Sequence, residues 1–207
     1  MPKVTGYLPL LGALVLIASC SSSATRSSSP TSSDTRATHQ SSSASQSNPP
    51  GPKTFRSSTY GYSATLPAGW TGAQAVQAWD IHAGFGLNVD SFQADQFRSP
   101  STPAAYAVAA RWNDDLAAFV RFWIVDNERY HGDNCPPEPY KRSPITIGGQ
   151  PGVLLAYNCG ILVSIAVAVY RGVGYNFTFV DESVASATDP TDHATFVRFL
   201  ESIQFPH

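Results

Sequence analysis

Between Ile145 and Phe179 the sequence alternates β-favouring runs with glycine turns, a pattern that leaves few folds open. Ile145-Thr146-Ile147 meets Gly148-Gly149, and Val153 to Tyr157 follows. The β-branched run Ile161 to Tyr170 then reaches Arg171-Gly172-Val173-Gly174, which returns the chain into Tyr175-Asn176-Phe177-Thr178-Phe179. β-branched and aromatic residues suit a pleated, half-buried surface, and short glycine turns between them join antiparallel neighbours. The predicted heart of the protein is therefore an antiparallel sheet.

Other stretches supply its partners. From Tyr60 to Leu66 the large or apolar residues fall on every second position, and Pro67-Ala68-Gly69 ends this predicted first strand. Gln74 to Asp80 and Gly86 to Phe92 are further strand candidates. Thr102 and Pro103 make a helix start, with a hydroxyl N-cap and a proline at the first helical position. Ala105, Val108, Ala109, Trp112, Leu116, Phe119, Val120 and Trp123 then recur at helical spacing and predict a face that covers the sheet. Phe119 to Val125 also alternates as a strand does, so an end near Asp114 or Asp115 stays open. Asp189 and Pro190 begin a final helix with Asp192 in its positively polarised first turn and an apolar stripe of Phe196, Phe199, Leu200 and Ile203. An antiparallel sheet with helices packed on it is the α+β class.

The N-terminus reads as an address. Lys3 precedes an apolar core from Leu8 to Ile17, and that core is shorter than the roughly twenty residues a membrane-spanning helix needs. Ile17-Ala18-Ser19-Cys20 resembles the bacterial lipobox, which marks Cys20 as the lipidation site; the alternative is an ordinary secreted protein cut near Ala18 or Ser19. From Ser21 to Ser47 the chain is dominated by Ser and Thr with no large apolar residue, so it cannot bury enough surface to offset the entropy of ordering. The expected organisation is a signal peptide over 1–19, a lipidated cysteine and disordered stalk over 20–54, and one domain over 55–207. A net charge of -2 gives no field for a polyanion, so nucleic acid is not an expected partner.

The segments YGYSATLPAGW, ITIGGQPGVLLAYNCG, VYRGVGYNFTF and FVRFLESIQF together resemble the PsbP-like fold. In bacteria that fold is carried by actinobacterial lipoproteins of the LpqN/LpqT kind, which share the layout of signal, cysteine and Ser-rich stalk. Each of these motifs is structural: a turn that a sheet needs or an apolar face that a helix needs. The resemblance thus implies a fold and a cell-envelope location, and it names no chemistry.

Few residues point to a reaction. Cys135 and Cys159 remain once Cys20 is lipidated, an even number in an exported domain, and are expected to form a disulfide. A metal site using His131, Cys135 and Cys159, which lacks a fourth ligand, and a pair of free thiols are the alternatives. There is no G-x-S-x-G elbow, no H-E-x-x-H helix, no P-loop and no G-x-G-x-x-G turn. No cofactor is expected. The aromatic residues carry the one functional signal. Trp112 and Phe119 are expected in the core, and Trp123, near the end of the expected helix, is the candidate for lining a groove that takes an apolar ligand or a partner's side chain. The expected function is that of a non-enzymatic lipoprotein on the outer face of the cytoplasmic membrane, binding an envelope protein, glycan or lipid. An envelope hydrolase with an unrecognised site is the alternative.

Overall fold

The computed structural model describes residues 51–82, 84, 92–99, 104–131, 135–181 and 190–207. Cys20 lies outside them, as do all of the Gly86 to Phe92 candidate except Phe92 and the side chain of His131. β1 (Lys53–Arg56) and β2 (Ser63–Leu66) form a small antiparallel pair. The fold therefore takes in Lys53 and Thr54, two residues before the expected boundary. The main sheet has seven strands in the order β3-β4-β5-β9-β8-β7-β6, all antiparallel. These are β3 (Thr71–Ala73), β4 (Asp95–Arg98), β5 (Ala104–Arg111), β6 (Lys141–Ile147), β7 (Gln150–Asn158), β8 (Leu162–Tyr170) and β9 (Val173–Asp181). Two helices complete the domain, α1 (Leu116–His131) and α2 (Pro190–Glu201).

The turn between β8 and β9 shows how locally the sheet is written. Arg171 and Gly172 both have positive φ, 49° and 75°, the pair of values a two-residue turn needs to match the twist of its strands. Beyond it, alternation in β9 sends Tyr175, Phe177 and Phe179 to one face, where Phe177 meets Phe199 and Phe179 stacks on Phe196 of α2. Gly174 belongs to the opposite face, and a Cβ there would stand 2.5 Å from the ring of Phe119 on α1. Only glycine lets that ring seat against the strand. The core thus has two layers, one between the sheet and α2 and one between the sheet and α1.

The stretch after Pro103 departs from the sequence expectation. Ala104–Arg111 is a strand, β5, paired along its whole length with β9. Its alanines favour a helix in isolation, but the ladder and the burial of Ala105, Ala107 and Ala109 against the aromatic layer decide the outcome. The helix begins instead after Asp115, whose Oδ1 accepts the Ala118 N–H at 2.7 Å as an N-cap. Phe119 to Val125, which also alternates as a strand does, lies inside α1. The first predicted strand is likewise shorter than its alternation implies, because Gly61 has a φ of 77° and only Ser63–Leu66 pairs. Gln74 to Asp80 is not a strand; β3 ends at Ala73.

Candidate binding groove

Trp123 is buried, with 1% of its surface exposed, and this overturns the expectation that it lines a groove. The reason is the shifted helix: Trp123 sits in the middle of α1, not at its end. It packs edge-on to Phe119 and Phe122. Phe119 is fully buried as expected, while Trp112 is half-buried and packed against the core.

The ring behind the open surface is Trp79, itself buried with 5% of its surface exposed. It stacks on Trp123 with centroids 5.4 Å apart and planes 24° from parallel. Its indole N–H donates to the Gly84 carbonyl at 3.0 Å. Its backbone N–H donates to the Tyr60 hydroxyl oxygen, also at 3.0 Å, while that hydroxyl donates to the Gln93 carbonyl. Thr59 Oγ1 donates to the Ala75 carbonyl at 2.6 Å, and the Ser58 N–H donates to Gln74 Oε1 at 3.0 Å. The segment Gln74–Asp80 is thus pinned onto the Ser57–Tyr62 turn by side chain to backbone bonds where a strand ladder is absent.

Beside this wall β5 outruns β4, which pairs with it only from Ala104 to Ala107. The rest of β5, the start of β9 and the pinned segment enclose a groove of about 590 Å³. Behind it stand the buried side chains of Tyr60, Trp79, Tyr175 and Ala109, and its exposed lining includes Ala78, Asp80, His82 and Arg111. Burial pushes the phenols of Tyr60 and Tyr175 up to about 12, so both stay neutral hydroxyls across the physiological range. A second concavity of about 560 Å³ borders the same turn, beside Ser57, Tyr62, Gln74 and His207. An apolar floor with opposite charges at its edge can hold and orient a ligand.

Cys135 and Cys159 are joined in a disulfide, with Cα atoms 4.3 Å apart, which ties the chain after α1 to the turn between β7 and β8. Among the described residues no group of three or more His, Cys, Asp or Glu is placed to hold a metal ion. The sequence passed over Trp79 because its role comes from a stacking partner far along the chain, and no periodicity marks it.

No family model and no curated protein matches this chain. Among solved structures it is similar to cyanobacterial PsbP (CyanoP) from Synechocystis sp. PCC 6803, at 16% identity over 74% of this chain and 92% of that one, with a TM-score of 0.50. It is also similar to a protein from Bacteroides thetaiotaomicron VPI-5482, at 12% identity over 75% of this chain and 48% of that one (TM-score 0.43). A third likeness is to LpqN of Mycobacterium tuberculosis, described as involved in cell envelope biogenesis, at 12% identity over 77% and 86% (TM-score 0.40). At 16% identity the likeness to cyanobacterial PsbP is one of fold: an antiparallel sheet with two helices, and hence a PsbP-like α+β domain.

Proposed function

We propose that this chain is a cell-envelope lipoprotein, anchored through Cys20 to the outer face of the cytoplasmic membrane, whose domain is a non-enzymatic binding module for an envelope protein, glycan or lipid. The observation that carries the binding role is the groove of about 590 Å³, floored by Tyr60, Trp79 and Tyr175 and edged by Asp80 and Arg111. The buried aromatic side chains give the groove a packed, apolar floor, and the exposed charges at its edge supply orientation. The anchoring role rests on the sequence from Leu8 to Cys20 and on the Ser-rich stalk behind it. Two chains of a diacylglyceryl group hold a protein to a bilayer where one gives marginal affinity.

The test uses the full chain in its native envelope. Cys20→Ala is expected to release the protein from the membrane fraction or to leave its signal uncleaved. Arg111→Glu is expected to leave anchoring and melting temperature intact and to abolish partner recovery after crosslinking. A Cys20→Ala protein that is processed and membrane-bound like the wild type contradicts the anchor. Partner recovery indifferent to Arg111→Glu contradicts the groove.

A further inference from the structure

Asp95 of β4 is fully buried, and its surroundings are unusual for a carboxyl. Oδ1 accepts the Ala75 N–H at 2.8 Å, while Oδ2 and the buried Tyr62 hydroxyl beside it lie close without making a hydrogen bond of ordinary geometry. A buried polar atom without a well-formed hydrogen bond costs free energy, so a site that keeps two of them calls for an explanation. The groups that face the carboxyl are the hydroxyls of Ser57, Tyr60 and Tyr62 from the Ser57–Tyr62 turn and the Ala75 amide from the following segment; Tyr175 of β9 packs on Tyr62, with ring centroids 6.5 Å apart. No Lys, Arg or His among the described residues acts on it. Burial raises its pKa above the ordinary carboxylate range, against the opposing pull of the Ser57 hydroxyl, the Ala75 amide and the Tyr62 hydroxyl.

The position matters because of what Ala75 does. Its N–H is held by Asp95 and its carbonyl by Thr59, and four residues on, the Trp79 N–H is held by Tyr60. Asp95 therefore holds the start of the segment that bears Trp79 and walls the groove. We propose that Asp95 is a proton-operated latch for that wall: protonated, it lets Gln74–Asp80 close on the Ser57–Tyr62 turn, and ionised, it favours an opening that gives the carboxylate water.

The sign follows from linkage. A carboxyl whose pKa is raised in the closed state makes that state most stable at acid pH, and the advantage is lost as pH rises from the ordinary value of about 3.9 through the raised one. The consequence for ligand capture rests on the groove reading above. The latch itself is tested without any ligand, so the two fail separately. Amide hydrogen exchange of Ala75 and Trp79 is followed in the ligand-free full chain from about pH 3 to about pH 8, corrected for intrinsic base catalysis. Protection is expected to fall about tenfold for each unit by which the closed-state pKa exceeds the ordinary one. Asp95→Asn is expected to hold protection flat across that range. Tyr62→Phe keeps the carboxyl but removes a hydroxyl that favours ionisation, so it is expected to move the midpoint to higher pH, and it decides the matter if the Asn variant does not fold. Flat protection in the wild type, the same fall in Asp95→Asn, or a midpoint unmoved by Tyr62→Phe overturns the latch.

Discussion

From β6 to β9 each strand is laddered to the next in sequence over seven to nine residue pairs, whereas from Thr71 to Arg98 the ladders last only three or four. In the second region the Val76 and Gln77 N–H groups donate to the Phe92 carbonyl and the rest of the work passes to side chains: Ser58 on Gln74, Thr59 and Asp95 on Ala75, Tyr60 on Trp79. A ladder is cooperative, because each pair fixes the register of the next. A set of separate side chain to backbone bonds, each worth about 0.5–1.5 kcal/mol net, opens piecemeal. The groove lies on the seam between the two, with one wall of each kind.

The laddered region should break hardest. Phe119→Ala removes the ring seated on Gly174 and is expected to cost roughly 3–5 kcal/mol, read as a shift of the chemical-denaturation midpoint. A loss below about 1 kcal/mol contradicts the account of the α1 layer. Next in size is the Cys135–Cys159 bridge, whose ends are 24 positions apart in the sequence. Its reduction is expected to lower stability by about 3 kcal/mol on the chain-entropy account. Intact mass before and after reduction should differ by two hydrogens, and alkylation of both cysteines without reductant would contradict the bridge.

The pinned region should break more gently and locally. Tyr60→Phe strands the Trp79 N–H and is expected to cost about 1–2 kcal/mol, with faster exchange at Trp79 and none in β7–β9. The same residue sharpens the comparison at alkaline pH. Burial holds the phenols of Tyr60, Tyr157 and Tyr175 up to about 12, so unfolded chains lose these protons first, near about 10. Native stability is therefore expected to fall as pH rises from about 10 to about 12, and less steeply in Tyr60→Phe, as thermal melts at each pH will show.

The contrast also explains what the sequence made legible. β6 to β9 and α2 could be read because their information is local: alternation, β-branched residues, a two-residue turn at Arg171-Gly172, and the stripe Phe196, Phe199, Leu200 and Ile203. β5 misled because alanine spacing fits a helix while the edge of β9 offers a complete ladder, a partner no local pattern reveals. The groove was invisible for the same reason. Trp79, Tyr60 and Arg111 are brought together by β5 outrunning β4 and by a stack on Trp123, both consequences of tertiary pairing. The aromatic signal in α1 was real, but it marked the support of the groove and not its lining.

The central claim is that partners meet this chain at the groove and not on the outer face of α1. A photo-crosslinking side chain placed in the full chain at Ala78, exposed in the groove, and separately at Val125, 61% exposed on α1, tests it in the native envelope. The account predicts a discrete adduct from position 78 that disappears with Arg111→Glu, and none from position 125. Adducts from 125 with none from 78, or a 78 adduct unaffected by Arg111→Glu, would contradict it.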